Sequence, residues 1–245
     1  MAAPARSIGW IAGWLALSSS PALAGDIASL QTIGFSADGG VFAFEEYGVQ
    51  DGSGFPYSNI YVIDTKTDRF VAGTPIRERI EDESASLGAV RAQSHKAAAS
   101  VIDRYRLGDH PGLLAAYNPV TETGDGRTLT YRAHAVLPPV GGPYTLTLED
   151  ISLPAADSCK GLMPETKGFR LAFTQEDGKP STRLLHQDDR LPESRGCPMG
   201  YRIGAVSVYQ PLGASAVHVA LVQVLRYGFE GSDGRWIAVP VTGMP

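Results

Sequence analysis

The chain has 245 residues, a formal net charge of −5 at pH 7 and 19% charged side chains, acidic and basic residues interspersed. No Lys/Arg run and no basic stripe interleaved with aromatics occurs, which argues against a nucleic-acid partner. With 28 glycines, 17 prolines and little helical periodicity, the composition points to a turn-rich, mainly β protein long enough for one domain with a full core.

Residues 1–24 read as a signal peptide. Arg6 supplies the positive start, Ile8 to Leu17 an apolar core too short to span a bilayer comfortably, and Ala22-Leu-Ala24 a small-x-small cleavage site. A retained anchor is the alternative. No Cys follows Ala24, which argues against a lipid-anchored form, so the mature chain is expected to begin near Gly25 and to form a single secreted domain over 25–245.

The stretch Ile33 to Val71 carries the clearest pattern: strand, Gly-bearing turn, strand, a Gly/Ser/Pro loop (Gly48 to Ser58), strand, turn, strand. Next comes the single predicted helix, about Glu81 to Leu107. Leu87, Val90, Ala97, Val101 and Tyr105 share one face, acidic residues precede it and Gly108 stops it. A face of small residues suits packing on a sheet; a partner-binding helix is the other reading. Further strands are expected over 127–136, 144–153, 169–174, 183–186, 201–209, 216–227 and 235–241. An echo between Asp38-Gly and Asp233-Gly, each read as a turn feeding a buried strand, is too little for a repeat array. The expected fold is a blade-like N-terminal meander joined to an irregular antiparallel β-sandwich or partial barrel, with one helix around residues 81–107.

Cys159 and Cys197 are the only cysteines, and in an exported chain they are expected to be bonded to each other. The alternative is a nucleophilic thiol, because Ser194-Arg-Gly-Cys197 is similar to the S/T-H-G-C motif of the L,D-transpeptidases; Arg195, however, stands where that motif has His. The five histidines share no metal-ligand spacing, and no nucleophile elbow, P-loop or dinucleotide fingerprint is present, so neither a metal, a cofactor nor a catalytic set is assigned. Alternation places Glu45 and Glu46 on opposite strand faces, which counts against an acid pair. His218 is read as an outward or satisfied strand residue, and Asp51-Gly-Ser-Gly as a loop rather than a calcium site. Phe55 and Tyr57, in the Gly48–Ser58 loop, are the candidate ligand-binding residues, with folding back onto the core as their alternative.

The stretch FAFEEYGVQDGSGFPYSNIYVIDTKTDRFVAGTP and the ending YGFEGSDGRWIAVP resemble a bacterial family of predicted secreted proteins, a domain of unknown function. Ile33 to Val71 also resembles one F-S-x-D-G propeller blade. The family resemblance implies export to the periplasm of Gram-negative bacteria and carries no activity. The expected function is therefore a non-catalytic periplasmic module binding a protein or envelope ligand. A cell-envelope enzyme using Cys197, a hydrolase with a scattered site and a structural secreted protein are the alternatives.

Overall fold

The computed structural model describes residues 25–121, 124–155, 157–229 and 231–241; the leader read over 1–24 lies outside them. The chain is mainly β, with fourteen strands in three antiparallel sheets and one α-helix among the described residues.

The N-terminal sheet is the expected meander. Strands β1 (Ser29–Phe35), β2 (Val41–Val49), β3 (Pro56–Asp64) and β4 (Arg69–Phe70) lie in sequence order, and β5 (Ile76–Arg79) also pairs with β3. The β1–β2 turn is closed by Asp38, whose Oδ1 accepts from Ser36 Oγ at 2.7 Å and from the Gly40 amide at 3.0 Å. Helix α1 (Leu87–Tyr105) starts later than expected because Ser86 caps it, accepting from the Ala89 amide, which leaves the acidic run outside. It ends at Arg106 in the left-handed conformation. Its buried face is Val90, Ser94, Ala98 and Val101, one position off the expected Ala97.

The chain then supplies β6 (Leu113–Tyr117) to a middle sheet before building an outer one. The outer sheet holds β7 (Thr128–Tyr131), β8 (Tyr144–Pro154), β9 (Glu165–Glu176), β10 (Lys179–Pro180) and β11 (Leu184–Gln187). The long strands β12 (Pro198–Tyr209), β13 (Val217–Tyr227) and β14 (Ser232–Val241) complete the middle sheet in the order β14-β13-β12-β6. Asp233 and Gly234 therefore lie within β14, not in a turn, so the echo with Asp38-Gly is one of sequence only.

The cores fix the layer order. Val41, Ala43, Ile60 and Val62 face α1, while Phe42, Phe44, Tyr57 and Ile63, on the other face of the same strands, meet Val219, Leu221 and Trp236 of the middle sheet. Ala220, Val222 and Val224, on the opposite side of β13, meet Leu146, Leu148, Phe169, Leu171 and Phe173 of the outer sheet. The stack is helix, N-terminal sheet, middle sheet, outer sheet. Burial on both faces explains why β12 and β13 read as near-continuous apolar runs. A register shift between Ile203 and Ala205 puts Gly204 beneath Trp236, where a Cβ would lie 2.3 Å from the indole.

His218 follows from the same layering. It is fully buried, its Nδ1 2.7 Å from the Tyr131 hydroxyl, and Nε2 has no hydrogen-bond partner among the described residues. The outward alternative is thus corrected: the even positions of β13 face the outer sheet. Burial, with Arg183 and His134 nearby, pushes the imidazole down to about 4. A neutral ring that must charge on unfolding contributes stability fully present above its ordinary value near 6.5 and lost as pH falls toward 4. The loss amounts to at most about 3 kcal/mol. His218→Gln should flatten the fall in stability between pH 7 and 4, as denaturant titrations would show; equal slopes for both proteins would refute this.

Candidate functional site

The two adjacent glutamates of β2 are both buried and serve opposite faces, as alternation requires. Glu45 points at the helix. Arg91 grips it with two hydrogen bonds of 2.9 and 2.8 Å, Ser58 donates at 2.8 Å, and His95 Nε2 lies 3.1 Å away. Burial pushes the carboxyl up, but the hydrogen bonds from Arg91, Ser58 and His95 outweigh it and hold it below the usual range. Arg91 also covers the Tyr47 ring at 3.9 Å. Every oxygen of Glu45 is spent on fastening α1 to the sheet, so this cluster is a joint.

Glu46 points at the middle sheet, into a different setting. Asn59 Nδ2, the Tyr61 hydroxyl and the Trp236 amide donate to it at 2.9, 2.8 and 2.7 Å, three neutral donors. Above them lies a cleft of about 380 Å³ at the β14 edge of the middle sheet. One wall is the N-terminal sheet, with Asn59, Tyr61, Phe70 and Arg77; the other is the segment carrying His186, Ser194 and Arg195; Arg226, Arg235 and Trp236 form the floor. The cleft continues in both directions. A mainly apolar lobe of about 310 Å³ is lined by Phe44, Tyr61, Ile63, Phe70 and Ala238, with Asp68 and Arg69 beside them. A polar, more open lobe includes Tyr57, Asn59, Arg77, Arg226 and Arg235. This size suits a small organic ligand.

The charges around it are unevenly partnered. Arg235 is paired with Asp26, and its guanidinium lies 4.7 Å above the Tyr57 ring. Arg195 donates to Asp188 at 2.5 Å and packs over Phe169 at 5.1 Å. Asp188 also accepts from the Phe169 amide at 2.9 Å and lies 2.9 Å from His186 Nε2. Burial raises the Asp188 carboxyl, yet bonds from His186 and the Phe169 amide, with the Arg195 charge, bring it below the usual range. Arg77 and Arg226 form no ion pair among the described residues. Burial and the Arg235 charge push Arg226 down.

The sequence candidates divide. Tyr57 sits in β3 rather than in the loop; its ring is buried, its hydroxyl donates to Asp26 at 2.9 Å, and it borders the polar lobe. Phe55 is half-buried, with Arg79 at 6.0 Å from its ring. Cys159 and Cys197 are joined, Cα atoms 5.6 Å apart. The Cys197 nucleophile is therefore a reading to correct, since a disulfide sulfur carries no thiolate. The bridge instead anchors the wall bearing Ser194 and Arg195. Arg226, Arg235 and Trp236 went unread as site residues, because they sit in apolar strands far in sequence from Tyr61, Arg77 and Arg195, and Glu46 was weighed only as half of an acid pair with Glu45.

Fold and site together define an antiparallel layered protein with a small-molecule-sized cleft where its sheets meet. The chain belongs to the family described as predicted secreted protein (DUF2259), whose pattern it matches over residues 43–242. No curated protein and no solved structure matches it. Among the described residues no helix is long and apolar enough to cross a membrane.

The 38-residue separation of the cysteines sets the expected effect of removing the bridge. Replacing both by Ser should lower stability by roughly 2–4 kcal/mol in denaturant titration. Unchanged stability, or alkylation of both thiols in unreduced exported protein, would refute the tie.

Proposed function

We propose that the protein is an exported, periplasmic binding module whose ligand occupies the cleft between Tyr61, Arg195 and Arg226. The observation that carries this is the convergence of three sheets on one concavity with a polar end, an apolar end and hydrogen-bonded walls. Cys197 being bonded removes the enzymatic alternative that rested on its thiol. The half-buried walls are held by Asp188 and Asp26, so the cavity is largely preformed and a ligand would spend little on ordering it.

The test is native mass spectrometry of protein recovered from the periplasm. A retained small molecule should be present on the natural chain and absent from Ser194→Trp, which fills the cleft from an exposed rim position, with the ligand-free melting temperature unchanged. If the natural chain carries nothing and periplasmic small-molecule fractions leave its melting temperature where it was, the reading falls. A retained molecule that survives Ser194→Trp and also Ala238→Trp would place binding elsewhere.

Export with removal of residues 1–24 belongs to the same proposal. Its support is the way the chain is tied in immediately afterwards. The Asp26 amide donates to Asp233 Oδ1 at 3.2 Å, and Ile27 bridges to Gly234. At Gly25 a Cβ would lie 2.1 Å from the Ser232 carbonyl oxygen. N-terminal sequencing of periplasmic material should begin within a residue or two of Gly25; Met1 at the start of that material would refute processing.

A further inference from the structure

We infer that the cleft takes an anionic amphiphile, with a carboxylate or phosphate head between Arg226 and Arg77 and an apolar body along Tyr61, Phe70 and Ala238. This rests on the reading of the cleft as the ligand site and names the chemistry of its occupant.

The charge inventory places the head. Four guanidiniums line the cavity, and two are already answered: Arg235 by Asp26 and Arg195 by Asp188. Glu46 stands close enough to offset part of the remainder, but its oxygens are turned to Asn59, Tyr61 and the Trp236 amide and it is buried beneath them. Asp68 lies at the opposite rim, beside His186 and Arg195. Arg226 is left half-buried, next to another guanidinium and without an ion-pair partner among the described residues, its charge offset only at longer range by Glu46 and Asp233; Arg77 stands exposed on β5 across the polar lobe, whose acidic lining is Glu78 and Glu81, the latter paired with Arg79. A partly desolvated guanidinium without a directly bonded counter-charge is costly, and an oxyanion is the group whose lone pairs match its planar fork. A neutral ligand would leave that cost in place, and a cation would raise it.

The body is placed by the other lobe. The Tyr61 ring stacks on Phe44 with centroids 4.9 Å apart, and Phe70 lies 6.0 Å beyond. Phe70 is 53% exposed at the mouth, an uncovered aromatic edge in line with the apolar lobe. Polarity thus falls from Arg226 toward Phe70, with Asp68 and Arg69 the charged residues beside the apolar lobe. A short chain or ring bound to an acidic head can cover both ends at once.

The experiment is calorimetric titration of the mature chain with octanoate, octyl phosphate, octanamide, octylamine and acetate. Octanoate and octyl phosphate should bind. Octanamide should bind about tenfold more weakly or worse, a difference of about 1.4 kcal/mol. Octylamine should not bind, and acetate should bind weakly for want of a body. Arg226→Gln and Arg77→Gln should each weaken octanoate, and Phe70→Ala should weaken octanoate while leaving acetate unchanged. The ligand-free melting temperature of Arg226→Gln should hold or rise, because a guanidinium repelled by Arg235 is removed. Should that variant fail to fold, exposed Arg77 carries the test. Octanamide equal to octanoate, or both arginine variants binding as the natural chain does, would overturn the anionic head. Absence of binding by every octyl compound would overturn the inference as a whole. Neither outcome touches the retained-ligand experiment, which decides separately whether the cleft is a binding site.

Discussion

The middle sheet, covered on both faces, is the constraint on which the rest depends. Strands β12 and β13 have no solvent side for most of their length, so nearly every position must be apolar, small or internally paired. The contact of Trp236 with Gly204 shows how tightly this is met: the indole lies where any side chain at 204 would be, and its Nε1 donates to the Ala28 carbonyl at 2.8 Å. One residue ties together β12, β14 and Ala28, just before β1. Because the sheet ends at β14, the flanking sheets overhang its edge. The cleft is that overhang.

Buried carboxylates stitch the layers. Glu45 fastens the helix to the N-terminal sheet, and Glu46 fastens that sheet to β14. Asp26 ties the segment before β1 to Arg235. Asp150 of the outer sheet accepts from Arg127 at 2.6 Å and from the Tyr201 amide of the middle sheet at 3.2 Å. Taking such groups out of water costs several kcal/mol each, and the cost is met only where their lone pairs are filled. Their return is orientation: an apolar interface tolerates sliding, whereas a carboxylate satisfied by named donors on a neighbouring layer does not. Arg226 and Arg77 stand apart as charges with no such joint among the described residues.

The disulfide fits the same scheme. The segment between Cys159 and Cys197 contains the long outer strand β9 and the short β10 and β11, but its end, from Asp188 to Gly196, has little apolar anchorage. The bridge, with the Asp188 bonds to Arg195, His186 and the Phe169 amide, turns that end into a fixed wall. An oxidising compartment is where such a tie lasts, in keeping with a family described as secreted.

Local signals were legible in the sequence. Turn chemistry at Ser36–Gly39, alternation through β2 and β3, and the apolar runs of β12 and β13 located the meander, the single helix and the long strands, because each is set by neighbours a few residues apart. The cysteine pair was legible by arithmetic. The opposite facing of Glu45 and Glu46 followed from strand geometry alone. Strands β5 and β6 were missed, since their patterns are short and their pairing partners lie distant along the chain. Tyr57 read as a loop aromatic, because nothing nearby shows that Asp26 and Arg235 will close over it. Above all, the cleft joins residues 46, 61, 77, 186, 226 and 236, drawn from all three sheets. The sequence by itself determined the elements and the bridge; only the stacking order of the layers decided which arginines meet and which remain unpaired, because charge pairing is a property of distances that pattern along the chain does not encode.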